Sequence, residues 1–152
     1  LNTHLKPGQE DTMLTKWQED LETGIDKFDH LNQELFTKVN ELMMEARNCN
    51  AREHLGRFLW FLQRYIHKHF RTEEQLQRTL GYPGYAVHKQ QHDLFIEEVR
   101  KIQERYNNEG GTTALTVHVI QVMSSWIKNH IKAYDLDVAA FLRSPGISGT
   151  VH

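Results

Sequence analysis

The sequence predicts an all-α protein, an up-down-up-down antiparallel four-helix bundle. Apolar residues recur at helical spacing through most of the chain, and no stretch shows the strict alternation of a half-buried strand. Three clusters of helix breakers, Asn48-Cys49-Asn50, Gly81-Tyr82-Pro83-Gly84 and Asn107-Asn108-Glu109-Gly110-Gly111, cut that pattern into four long segments. Connections this short between helices this long make sequence neighbours antiparallel.

The first helix is expected from about Lys27 to Ala46, with Phe28, Leu35, Phe36, Val39, Leu42 and Met43 on one face. The second opens where Asn50 can cap the chain and Glu53, three residues on, can reach back to complete a capping box. Its stripe reads Leu55, Phe58, Leu59, Leu62, Tyr65, Ile66, Leu76 and Leu80, and Gly81 followed by Pro83 ends it. The third follows Pro83 and carries Tyr85, Phe95, Ile96, Val99 and Ile102; the fourth, opened by Thr112 or Thr113, carries Val119, Met123, Trp126 and Ile127.

A chain of 152 residues is long enough for one domain with a real core, without disulfide support. Residues 13–143 are read as that domain. Residues 1–12 and 144–152 are polar and aperiodic and read as tails or linkers; the domain either starts at Met13 or was excised from a longer protein. Cys49 is the single cysteine, which excludes an internal disulfide, and 18 basic against 20 acidic residues leave no positive excess to hold a phosphate backbone. Nucleic acid is thereby a poor partner. No apolar run approaches the ~20 residues of a membrane span and no secretory leader is visible, so a cytoplasmic protein is expected.

Composition leaves one excess, ten histidines. At about 100° per residue, His69 and Glu73 fall within about 20° of the centre of the second helix's apolar stripe. His88 and His92 share the apolar face of the third helix, His130 lies one turn after Trp126 on the fourth, and Asp135 follows five residues later. His67 and His118 point away from their stripes, and His4, His54 and His152 lie at ends or surfaces, so these five are expected in solvent. One inward histidine is ordinarily a satisfied core hydrogen bond. Four of them with a carboxylate would crowd a core with polar atoms, whereas a metal ion satisfies them together. Imidazole and carboxylate groups without thiolate exceed the needs of one tetrahedral zinc and suit a pair of iron ions in the bundle core.

The residues His69-Phe70-Arg71-Thr72-Glu73, Tyr82-Pro83 leading to His88-x3-His92, and Trp126-x3-His130-x4-Asp135 together resemble the bacterial hemerythrin family over about Trp17 to Asp135. The resemblance implies two iron ions with an oxo or hydroxo bridge, and dioxygen or a small anion as exogenous ligand. His88, His92 and His130 would hold one iron, His69 the other, and Glu73 and Asp135 would bridge them. Ile127 and Trp126 would line the dioxygen pocket.

One position departs from the family. A fifth histidine is expected from the first helix, where this chain reads Phe28-Asp29-His30-Leu31-Asn32-Gln33-Glu34-Leu35-Phe36. Alignment of the two ends of that stretch places Asn32 at the ligand position, and helical phase turns His30 about 180° away from the apolar face. Asn32 would offer a weak amide oxygen to the ion or hydrogen-bond a water bound there. Unless Asn32 or a water fills the position, the His69 iron would have two neighbouring labile positions, one more than is usual in the family.

The first functional expectation is a dioxygen-binding module, an oxygen or redox sensing regulatory domain covalently linked to a signalling output domain. A di-iron oxidase or a peroxide- or nitric oxide-reacting enzyme, and a stand-alone oxygen carrier, are the alternatives.

Overall fold

The computed structural model describes residues 21–47 and 51–144. Its helices are α1 (Asp26–Glu45), α2 (Ala51–Thr79), α3 (Tyr85–Glu109) and α4 (Thr113–His130), followed by a π turn (Ile131–Asp135) and a short α5 (Leu136–Leu142). α1 packs on α2 and α4, and α3 on α2 and α4, which closes the four long helices into a ring. This is the expected bundle. The expected cap at Asn50, Cys49 and the two chain ends, including His4 and His152, lie outside the described residues.

Local chemistry sets the helix ends. Gly81, at φ 66°, turns the chain out of α2, and the Tyr82 amide closes back on the Gln77 carbonyl at 2.9 Å. Of the two threonines proposed to open α4, Thr112 is the cap: its side-chain oxygen accepts from the Leu115 amide at 3.1 Å.

Two apolar clusters fill the bundle. The larger runs from Val39, Leu42, Leu55 and Leu62 through Val99 and Ile102 to Leu115, Val119 and Ile131; the smaller joins Phe28, Val138 and Leu142, with Leu76, Leu80 and Tyr82 packed on it. The polar residues singled out above lie between the two along each strut: Asn32 between Phe28 and Leu35, His69 and Glu73 between Ile66 and Leu76, Asp135 between Ile131 and Val138. Ile96 is a correction to the expected core. It is 43% exposed, because the face of α3 toward the bundle is carried by His88, His92, Phe95, Val99 and Ile102 instead.

Expected as the last turn of α4, the segment after His130 is a different structure. An ideal α-helix would leave a residue five positions on about 140° out of phase. The π turn, with its wider i→i+5 closure, returns Asp135 to the face of His130.

Candidate metal centre

Six side chains from α2, α3, α4 and the π turn converge between the two apolar clusters: His69, Glu73, His88, His92, His130 and Asp135, each no more than 3% exposed. The Nε2 atoms of His88 and His130 stand 3.0 Å apart, and those of His92 and His130 3.3 Å apart. Glu73 spans the cluster. Its Oε2 lies 3.2 Å from both His88 and His92 Nε2, while its Oε1 lies 2.8 Å from His69 Nε2. Asp135 Oδ1 closes the other side, 3.1 Å from His130 and 3.4 Å from His88. Candidate ligand atoms of Glu73, His88, His92 and His130 form one group within 4.8 Å of one another, and those of His69, Glu73 and Asp135 form a second.

The donor set suits metal ions. Cis ligands around an ion about 2.1 Å away stand about 3.0 Å apart, which is the spacing of the imidazole nitrogens. Among the described residues, Glu73 Oε1 and Oε2, His69 Nε2 and Asp135 Oδ1 have no hydrogen-bond partner despite these short approaches. Left without a cation, a buried cluster of this kind costs about 1–3 kcal/mol for each unpaired group.

Electrostatics reports the same crowding. Burial opposes the charge on Glu73, yet the surrounding histidines, His69 foremost, hold its carboxyl well below the usual range. Burial and Glu73 both push Asp135 up, and His130 and His88 more than offset them, so it too is lowered. Burial would depress His88, but Asp135 and Glu73 raise it to about 9; His69 is raised against burial by Glu73.

Neighbouring side chains fix the rings. Glu74 Oε2 lies 2.9 Å from His92 Nδ1, and the Gln77 amide lies 3.1 Å from His88 Nδ1. With Nε2 turned to a metal, His88 Nδ1 carries the proton and needs an acceptor; the Gln77 oxygen, otherwise unpaired among the described residues, supplies it once the amide is turned over. Phe70 stacks on His92 with centroids 3.8 Å apart, Trp126 on His130 at 4.3 Å, and Tyr65 on His69 at 5.0 Å.

On the first helix, Asn32 is 3% exposed and its Nδ2 lies 3.5 Å from Asp135 Oδ2, while His30 is exposed. The inward residue is therefore asparagine. Trp126 is half-buried against His130, and Ile127 is 1% exposed within the larger apolar cluster. Of the histidines expected in solvent, His67 is exposed and His118 stands 3.9 Å from Glu98. His54 differs: its ring is largely covered, with Nδ1 2.7 Å from Glu45 Oε2.

The sequence reading did not find Gln77, Glu74 or Tyr65 as neighbours of the centre. Gln77 had a legible signal, lying one turn past Glu73 on the same stripe. Glu74 and the direction of the Tyr65 hydroxyl needed the packing of α2 on its neighbours.

The profile of the Hemerythrin HHE cation binding domain matches residues 23–142. A bacteriohemerythrin of Stenotrophomonas maltophilia is 31% identical over 122 residues, covering 80% of this chain and 77% of that protein. Bacteriohemerythrins of Clostridium acetobutylicum and Methylococcus capsulatus are 28% and 27% identical, covering 78% and 74% of this chain and 94% and 84% of their own lengths. The converging imidazoles, the carboxylate that spans them and the extent of these matches place the chain in the hemerythrin family of cation-binding domains.

Proposed function

We propose that this chain is a non-haem di-iron domain that binds dioxygen and serves as an oxygen or redox sensing module of a larger cytoplasmic signalling protein, with residues 13–143 as the folded unit. The observation that carries the di-iron reading is Glu73, whose two oxygens face different histidine sets, His69 on one side and His88 with His92 on the other. A carboxylate so placed serves two ions at once. His88, His92 and His130 would hold one iron, His69 the second, and Glu73 and Asp135 would bridge them.

Bound there, the iron pair supplies reversible electron exchange with dioxygen. The chain does the rest. Gln77 and Glu74 hold the ring tautomers that turn Nε2 inward. Phe70 and Trp126 clamp the planes of His92 and His130. Ile127 and its apolar neighbours keep water from the pocket. The inward Asn32 favours sensing over carriage, since a neutral amide leaves the His69 side more open to solvent ligands and to irreversible oxidation. The same opening favours, as a second reading, an enzyme acting on peroxide or nitric oxide.

The test is to reduce the iron-loaded protein without air, admit air, then evacuate, while recording visible spectra. Conversion to a stable oxidised spectrum within minutes is expected of a sensor. A band that appears in air and vanishes under vacuum through many cycles indicates a carrier, and sustained consumption of peroxide or nitric oxide indicates the enzyme.

A further inference from the structure

Tyr65 sits one turn before His69 on the same face of α2, its ring stacked on the imidazole at 17° between planes. Its hydroxyl is buried and has no hydrogen-bond partner among the described residues. A buried orphan hydroxyl costs about 1–3 kcal/mol, and such a group ordinarily has a partner, here one outside the described residues. The stacked ring places this phenol beside His69, and a phenol O–H is a donor.

The space in front of it belongs to α1. There Asn32 stands at the inward position, its amide 3.5 Å from Asp135, with a side chain shorter than the imidazole of the family pattern. Behind it, Tyr65 forms part of the wall of a groove of about 690 Å³ between α1 and α2, with Leu31, Glu34, Trp60 and Arg64. One aromatic ring separates that groove from His69.

We propose that the Tyr65 hydroxyl donates a hydrogen bond to the exogenous ligand on the His69 side of the centre, favouring ligands that carry negative charge, azide among them, over nitric oxide. The inference rests on the di-iron reading above. In this role Tyr65 contacts the incoming ligand itself.

The experiment uses the full chain loaded with iron, as parent and as Tyr65→Phe, which removes one oxygen and keeps the stacked ring. Iron per chain is measured first; a parent that takes up no iron defeats the di-iron reading and is thereby distinguished from failure of this inference. Azide is then titrated into the oxidised protein and nitric oxide into the reduced protein. Azide binding about tenfold weaker in Tyr65→Phe, with nitric oxide changed by less than about twofold, is expected. The infrared stretch of bound azide should shift between H₂O and D₂O in the parent, a test of the hydrogen bond that needs no variant. Azide affinity unchanged by the substitution, equal losses for both probes, or an isotope-insensitive azide stretch each overturns the proposal. So does a tyrosinate charge-transfer band in the oxidised parent that disappears in Tyr65→Phe, because the phenol would then be a ligand itself.

Discussion

The two sides of the centre are built to different standards. Around His88, His92 and His130, three imidazoles point inward, two have polar partners on their outer nitrogens, and aromatic rings lie flat against His92 and His130. Around His69 there is one imidazole, whose Nδ1 has no partner among the described residues, an asparagine and an orphan phenol. The first side is the more firmly held: His92 has both a hydrogen bond and a stacked ring, His88 a hydrogen bond, and His130, whose Nδ1 also has no partner among the described residues, a stacked ring. The second side is held by stacking alone and has polar groups to spare. The lesson is that one site can combine a firmly held half with an adaptable one; in the proposed di-iron reading the first would anchor the ions and the second would meet the ligand.

Glu73 is where this comparison breaks most severely, because it faces His69 with one oxygen and the trio with the other. Glu73→Ala is expected to lose most of the ~two irons per chain, while His67→Ala, at an exposed position, retains them; elemental analysis after gel filtration decides. Removing the metal from the parent should itself lower Tm by about 10 °C or more, as buried groups lose their common partner. An iron-free protein that melts with the loaded one would mean that water, rather than metal, satisfies those groups.

The difference between the sides was only partly legible in the sequence. The bundle, the four inward histidines with Glu73 and the phase of Asn32 against His30 followed from a 3.6-residue period, because burial on a helix is a one-dimensional pattern; Asp135 was reached through the family resemblance. His54 and Ile96 ran against the reading for the converse reason. Whether a residue near a helix edge is covered depends on the neighbouring helix, here Glu45 beside His54 and the inward histidines in place of Ile96. The π turn lay hidden because a fixed 100° step cannot represent a local change of pitch.

A sharper test of the asymmetry is His69→Ala against His92→Ala. The first should halve the iron by emptying its own side and leave the trio occupied; the second should weaken retention of both ions, since the trio shares Glu73 with His69. Equal stoichiometries in the two variants would erase the distinction between anchor and adaptable half.

Protons compete with iron chiefly through His88, raised to about 9 by Asp135 and Glu73 against the effect of burial. A raised histidine stabilises the iron-free fold fully below its ordinary value near 6.5 and loses that contribution as pH climbs through about 9. Melts of iron-free protein should accordingly fall in Tm between about pH 6 and about pH 10, and iron loading should release more protons near pH 7 than near pH 10. Calorimetry in buffers of different ionisation heat measures the second quantity.

The smallest effects are expected on the first helix. Asn32→His adds an imidazole to the poorer side and should prolong the dioxygen-dependent visible band several-fold, about fivefold if the substitution contributes ~1 kcal/mol to the barrier. His30→Ala, at an exposed position, should leave iron content and spectrum unchanged. Loss of iron in His30→Ala would reverse the assignment of the inward residue.

The π turn also ties the centre to the far end of the bundle. It acts as an extra tooth in a gear: the wider π closure absorbs one residue, so the helix beyond it keeps its phase. The same residues closed as uniform α would carry Asp135 about 140° from His130 and Val138 and Leu142 about 100° off the face they share with Phe28. Deleting one residue between Ile131 and Tyr134 would let the helix close as α with Asp135 still inward, four positions after His130, whereas inserting one there would turn the carboxylate and the apolar floor beneath it away together.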